Sequence, residues 1–361
     1  MADGGADGGA ERHYPCSQCG ADLRFAPGQT HLACVHCGHE EEIPAIPEAK
    51  AARALGEIDL ADGLRADLAP ALVEEARVTT CPSCGAQVEF AGADHADECP
   101  WCASPVVADT AAHRQIRPQA LIPFKLTEAA AADAMARWLK GLWFAPNALK
   151  HYARGGRRMQ GLYSPWWTFD AATRSRYTGR RGVRRRVRRG KDTVTEVQWT
   201  RVSGRVARYF DDVGIVASAS LPRAHAEGLQ PWDYTELVPY APDYLSGFRA
   251  EAYTVGLEEG HTRARAVMTE RIRADVRRDI GGDEQVITTL DTDWREETFK
   301  HVLLPVWMAA YRFRGKSYRF IVNGQTGKVQ GERPWSAWKI GFAILTAAVA
   351  IGGFAYLFDR M

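Results

Sequence analysis

Lysine and arginine are scarce in the first 112 residues of this 361-residue chain, six in all against nineteen Asp and Glu, a net −13. Residues 113–361 carry 40 and 25, a net +15, so the overall charge of +2 conceals a division. Proteins that grip nucleic acid neutralise phosphates with Lys and Arg, and that term supplies most of their non-specific affinity. The acidic segment is unsuited to such a role. No basic stretch followed by a short apolar run opens the chain, so nothing resembles a secretory signal, and a reducing compartment is implied. A phosphate-binding loop is also missing. Gly315-Lys316-Ser317 has the ending of one, but position 310, where a second glycine is required, is alanine. Asp283-Glu284 is followed by Gln285-Val286 rather than by the rest of a helicase acidic box. No Ser/His/Asp set or carboxylate pair has a spacing that argues for catalysis, and the chain reads as a non-enzyme.

No cysteine is left over, either. Cys16 and Cys19 are followed after fourteen residues by Cys34 and Cys37. The pattern repeats 65 residues later as Cys81, Cys84, Cys99 and Cys102. GADLRFA after the first knuckle matches GAQVEFA after the third. Each quartet supplies four soft thiolates at the spacing of a closed tetrahedral zinc site, which has no open position for water. The expected cofactor is therefore Zn2+, two per chain and structural. His36 or His39 is an alternative ligand in the first site, and His95 lies within the second ribbon. Two tetrathiolate sites would each add about −2 to a half already acidic.

The fold class expected is α+β and multidomain: two tandem zinc ribbons, a body with antiparallel sheets, and one C-terminal transmembrane helix. The divisions fall at 1–11 (a small, acidic, disordered tail), 12–46 (first ribbon), 47–78 (a helical linker broken near Gly56 and Pro70), 79–110 (second ribbon), 113–334 (body) and 335–361 (anchor). Within the body a duplication is suggested. ALIPF at 120–124 precedes a helix capped by Thr127 and then the strand GLYSPWW, while ELVPY at 236–240 precedes a helix over 257–278 and then VLLPVW. Asn323-Gly324 between apolar runs signals a hairpin turn. Trp166, Trp167 and Trp307 read as core aromatics rather than a base-stacking platform.

Ile340 through Phe358 holds no charge over nineteen residues, enough at about 1.5 Å per residue to span roughly 28 Å of hydrocarbon. Trp335, Trp338 and Lys339 flank it, which predicts a single anchor in a bacterial inner membrane with the bulk of the chain in the cytoplasm. Ala348 and Gly352, four apart, would let two such helices approach, leaving a homo-oligomer open. Acid is absent from 171–190, where Arg174, Arg176, Arg180, Arg181, Arg184, Arg185, Arg186, Arg188 and Arg189, with Lys191 just beyond, make a basic run inside an apparent hairpin. Four roles fit it: a solvated tip, contact with anionic lipid, an acidic partner such as the ribbons themselves, or nucleic acid.

With the ribbons, the PWW and LLPVW strands, the NGQTGKV turn and the apolar end together, the chain resembles a bacterial family with TFIIB-type zinc ribbons and a C-terminal membrane helix. Its members are often labelled primosomal protein N′ (replication factor Y) or helicase-like. The resemblance spans most of residues 12–358 and carries over residue by residue only at the eight cysteines. Some relatives are similar to a membrane-stress component that works with a flotillin-like (SPFH-domain) protein and recruits a phage-shock-protein-A-type coat. The resemblance thus implies a membrane-anchored adaptor that recruits a protein partner of one of those types. A nucleic-acid-associated ribbon protein of replication or repair, without its own ATPase, is the alternative.

Overall fold

The computed structural model describes residues 14–65, 73–81, 87–89, 96–98, 105–107, 112–142, 159–189, 192–220, 222–313, 316–332 and 337–359. The first ribbon is a three-stranded antiparallel sheet of β1 (Leu23–Phe25), β2 (His31–Cys34) and β3 (Glu40–Glu42). Helix α1 (Glu48–Leu55) ends at Gly56, and the edge strand β4 (Ile58–Asp59) leads to the single turn α2 (Leu60–Gly63), capped by the Asp59 carboxylate. Residues 73–78, expected to end a helical linker, instead belong to β5 (Val73–Thr80). Val73, Val78 and two threonines favour an extended chain, and β9 lies alongside to pair with it. Strands β6 (Gln87–Glu89), β7 (Ala96–Glu98), β8 (Pro105–Val107) and β9 (Ala112–Ile116) complete this region.

The body is α+β with one large sheet. Strand β10 (Ala120–Leu121) precedes α3 (Glu128–Gly141), whose first turn is capped by Thr127 Oγ1 accepting from the Ala130 N–H. Two long strands follow, β11 (Gln160–Arg189) and β12 (Asp192–Val216), then the short helix α4 (Arg223–Gly228) and the short strands β13 (Val238–Pro239) and β14 (Arg249–Ala250). Helix α5 (Leu257–Ile280) buries Leu257, Gly260, Ala264, Met268, Ile272, Val276 and Ile280, a stripe of near-helical period laid on β11, β12 and β15. Strand β15 (Glu284–Phe313) pairs with β11 along most of its length, and β16 (Lys316–Asn323) and β17 (Val329–Gly331) finish the sheet.

The duplication takes a definite form, and one of its expected pairs was misplaced. Strand β10 runs parallel to β15 at Val302–Leu303, and β14 runs parallel to β11 at Leu162–Tyr163, positions exactly one repeat of 140 residues apart (302 less 162). Each short strand ends seven residues before its helix (121 to 128, 250 to 257). Ser164 faces Leu304, the residue 140 further on, so the β11–β15 register is symmetric about that pair. Trp167 Nε1 donates to Val255 O and Trp307 Nε1 donates to Leu126 O, both at 2.8 Å and both two residues ahead of a helix. Two strand–helix–strand units thus exchange short strands across a pseudo-dyad. The counterpart of residues 120–121 is 249–250, not the ELVPY segment, which supplies β13 as an added neighbour of β10. Non-local pairing makes this assignment, and the matching prolines of ALIPF and ELVPY carried no information about it.

The expected transmembrane helix is a correction. Residues 337–359 do form a helix, α6 (Ala337–Asp359), yet among the described residues no helix is long and apolar enough to cross a membrane. Trp338, Phe342, Ile344, Leu345, Val349 and Ile351 stand exposed along it. Thr346 spends its hydroxyl on Phe342 O at 3.0 Å within that stretch.

Candidate metal centre

Two knuckles of the same make bring four sulfurs together. The Gly20 N–H donates to Cys16 O at 2.9 Å and the Gly38 N–H to Cys34 O at 3.0 Å. Each chain then reverses, with Cys16 N–H donating to Ala21 O and Cys34 N–H to His39 O. Both turns pass through φ near +75°, at Gly20 and Gly38, a region open to glycine and costly for residues bearing a Cβ. The C-x2-C-G text is therefore a backbone instruction as well as a ligand pair. Sγ of Cys16 lies 3.5 Å from Sγ of Cys37, and Sγ of Cys19 lies 3.6 Å from that of Cys34. All four sulfurs fall within 4.8 Å of one another, a group that can hold a metal ion.

The cage is electrostatically prepared. Backbone N–H groups of Cys37 and then His36 pull the Cys34 thiol down to about 6. The His39 N–H draws Cys37 the same way, but desolvation and the neighbouring sulfurs outweigh it and push that thiol up to about 12. One thiolate is thus favoured without a metal, and the remaining protons would have to leave for one to bind. The histidines stay out of the cage. His39 Nε2 sits 3.0 Å from Ser17 Oγ and 3.4 Å from Glu41, which also accepts from the Ser17 N–H and hydroxyl.

One side of the cage is welded to the body. Cys16 and Cys34 are buried while Cys19 and Cys37 are exposed. Leu23, Phe25 and Leu32 join the core that contains Phe124, Tyr163 and Trp307. Phe25 meets Tyr244 edge-on at 5.1 Å. The free edge of β1 bonds to the body through Phe25 N–H to Ser246 O (3.0 Å) and the Ser246 hydroxyl to Leu23 O (2.6 Å). Outward, between the second pair of cysteines, Val35 is 73% exposed.

Of the second quartet only Cys81 is described. It is buried against the body core beside Trp166 and Val302. Cys84, Cys99 and Cys102 lie outside the described residues, as does His95.

The basic run occupies the far end of the β11–β12 hairpin. Pairing with β15 stops at Gly182–Glu284, so 183–189 pair only with 192–198, as a two-stranded ribbon. Arg180, Arg181, Arg184, Arg185, Arg186 and Arg188 are exposed, whereas the side chain of Arg189 and all of Lys191 lie outside the described residues. Arg184, Arg186 and Arg188 share one face by strand alternation, and Val183, Arg185 and Val187 the other. Val194 and Trp199 are exposed beside them, with Arg180 lying over the Trp199 ring at 5.3 Å. The helicase-like acids prove to be local partners: Glu284 lies 3.2 Å from Arg184, and Asp283 accepts the Arg184 backbone N–H at 2.7 Å.

Sequence reading missed a second polar centre. The ladder slips on both sides of Asp170, while Asp212 on β12 and Glu296 on β15 adopt positive φ nearby. Glu57, Asp170 and Asp211 bring carboxylate oxygens within 4.8 Å of one another. Lys300 supplies one counter-charge, its Nζ 3.3 Å from Glu57 and 3.1 Å from Asp212. Burial and the hydrogen bond to Glu57 push the Asp170 carboxyl up to about 8, and the same hydrogen bond holds Glu57 low. The members come from β4's approach, β11, β12 and β15, with no shared spacing to betray them.

No family model matches the chain, and no solved structure matches it. It is similar to YdjG of Bacillus subtilis (strain 168), 25% identical over 328 residues that cover 91% of each chain. That protein is itself described as uncharacterized, so the likeness runs through the whole length and brings no activity with it.

Proposed function

We propose that this chain is a non-catalytic zinc-ribbon adaptor that presents a protein-binding surface beside an anionic membrane face. The observation that carries the reading is the four-thiol cage clamped to the body on one side and open to solvent on the other. A zinc ion with Zn–S bonds of about 2.3 Å makes tetrahedron edges of about 3.8 Å, and the sulfur pairs at 3.5 and 3.6 Å come close to that before any metal draws them in. Four thiolates leave a bound ion no place for water, so its work is to hold the knuckles in shape. Cys81, Cys84, Cys99 and Cys102 provide a second ion's ligands in this proposal. The exposed Val35, set between two ligands, offers an apolar contact of fixed position to a partner. SPFH-type and phage-shock-protein-A-type proteins, which the sequence resemblance implies, are the first partners to try.

The free hairpin end supports the membrane part. Arg184, Arg186 and Arg188 share a face with the exposed Trp199, and Arg185 stands with the exposed Val183, Val187 and Val194 on the other, so either face combines headgroup attraction with apolar contact. Metal analysis of freshly reduced protein is expected to give two zinc ions per chain. A pull-down with the full chain is expected to capture a partner that V35D loses. R184Q/R185Q/R186Q/R188Q is expected to weaken binding to phosphatidylglycerol vesicles, each charge contributing about 1 kcal/mol. Vesicle binding unchanged in that variant, together with tight, salt-steep binding of duplex DNA, would return the chain to the replication reading.

A further inference from the structure

Strand β12 forms one edge of the large sheet, with β11 as its neighbour. Residues 192–210 follow β11 without a slip in register, and among the described residues no strand pairs with their other side. That outer edge is closed only beyond the bulge, where the Gln230 side-chain amide donates to Gly214 O at 3.1 Å. An edge strand carries a row of backbone N–H and C=O groups with no partner in its own sheet, and proteins keep such edges short, kinked or interrupted by proline. Residues 199–209 have none of these features. They reach about 36 Å, roughly twice an ordinary strand.

The side chains indicate what kind of strand fits there. Val202, Val206 and Phe210 turn to the core under α5, so Arg201, Ser203, Arg205, Ala207 and Tyr209 stand exposed on the opposite face. On that face the charges of the sheet fall into rows. Asp291 and Asp293 of β15 lie directly opposite Arg176 and Arg174 of β11, with Arg176 3.5 Å from Asp291. Arg205 and Arg201 of β12 lie opposite Arg176 and Arg180, and their side chains make no ion pair among the described residues. The order is acid, arginine, arginine and then an open edge. An acidic strand on the free side of β12 would repeat there the pairing that β15 gives β11. Arginines keep cationic and apolar strands off such an edge while admitting an acidic one. We propose that β12 over residues 199–209 takes up an extended acidic segment of a protein partner as an added strand. Backbone hydrogen bonds hold it, and carboxylates at every second position lie beside Arg201 and Arg205. The inference rests on the adaptor reading in taking the ligand for a protein.

A short synthetic peptide of alternating threonine and glutamate, followed by fluorescence anisotropy, tests this on the full chain. Saturable binding is expected, with slowed amide hydrogen exchange in residues 199–209 when the peptide is bound. The same peptide N-methylated at alternate residues, which cannot complete the ladder, should not bind. R201Q/R205Q should weaken binding about fivefold or more through the two lost cross-strand charge pairs. Both side chains are exposed, so its thermal unfolding should be unchanged. R184Q/R185Q/R186Q/R188Q, at the hairpin tip, should bind as the parent does. No binding, equal binding of the N-methylated peptide, or equal weakening by the tip variant would overturn the proposal, since each leaves diffuse attraction or none. Self-association of the chain alone that R201Q/R205Q abolishes would overturn it too, giving the edge to a second copy. Where the peptide fails to bind while V35D still loses a partner, this edge is overturned and the adaptor reading stands.

Discussion

The first ribbon and the sheet it rests on solve the problem of burial differently. The ribbon has strands of three or four residues and, among its described residues, buries only Cys16, Leu23, Phe25, Leu32 and Cys34. So few apolar side chains cannot offset the entropy of ordering the segment, and the thiol cage with the borrowed aromatic wall of the body must make up the difference. The body has strands of 25 and 30 residues and a helix of 24, with Trp166, Trp167, Tyr163, Phe169 and Phe299 fully enclosed. It needs no metal to account for its burial. On the proposed reading, one molecule contains a region held by metal ligation and a region held by packing, joined along β1. Perturbations aimed at one should leave the other readable.

Removing a ligand gives the largest expected effect. C34S should release the ion from the first cage and unfold the ribbon, since structural zinc contributes roughly 10 kcal/mol or more to such units. Limited proteolysis should then cut within residues 14–43 while α5 and the long strands survive. Protection of that segment in the metal-free variant would show that docking on the body alone suffices, and the comparison would fail.

W167A tests the opposite side. Trp167 is wholly buried, its indole N–H is bonded to Val255 O, and its ring meets Tyr253, Phe299 and His301 at tilted or edge-on angles. The expected loss is about 3–5 kcal/mol in global stability by denaturant unfolding. The zinc content of the surviving folded protein should not change. Metal lost in step with W167A would mean that the two regions unfold as one unit.

Why one region was legible in the sequence and the other only in part follows from the same contrast. Cys16, Cys19, Cys34 and Cys37 carry their chemistry in residue type and local spacing, and Gly20 and Gly38 mark turns that any chain must make there. Thr127 and Asn323-Gly324 likewise act within a few residues of themselves. The exchange of β10 and β14 depends on partners more than a hundred residues away, so ELVPY could pass for the second copy. Residues 73–78 read as the end of a helical linker because the pairing with β9 that makes them part of a strand is not visible along the chain. The 340–358 run reads as a crossing from its lack of charge, yet among the described residues no helix is long and apolar enough for one.

A smaller effect separates the uses of glycine. Gly38 has open space where a Cβ would go but a φ of +76°, so G38A should cost about 1 kcal/mol through the backbone alone. Gly260 has an ordinary φ, yet a Cβ there would lie 2.7 Å from Cδ1 of Trp167. G260A should therefore lower global stability while leaving the metal in place, whereas G38A should weaken metal retention and leave the unfolding of the body unchanged. Competition with a chromophoric chelator reads the first quantity and denaturant titration the second.

The smallest expected effect concerns Asp170, a buried acid beside the exposed Glu57, and how the body's stability should vary with pH. Asp170 faces Glu57, Asp211, Asp212 and Lys300, and its Oδ1 accepts the Asp212 N–H at 2.6 Å. With its carboxyl pushed up to about 8 and Glu57 held low, the pair keeps one proton between them near neutrality. In the unfolded chain an aspartate releases its proton near 3.9. Below that both states are protonated and the group contributes nothing to pH dependence. Between about 4 and about 8 the folded state holds more protons than the unfolded one, so stability falls as pH rises and levels off above the folded value. Asparagine reproduces the neutral carboxyl, with its oxygen for the Asp212 N–H and its amide donating to Glu57. D170N and the parent protein should thus unfold together near pH 4, with D170N gaining progressively up to pH 8.5. Because the site is partly open to solvent the gain should be well under the full linkage value, of the order of 1 kcal/mol. Zinc content should stay level across the series, since the pair does not touch the cage. A D170N protein that loses stability at high pH instead would mean that Lys300 needs the charge on Asp170, and that packing alone does not hold the body.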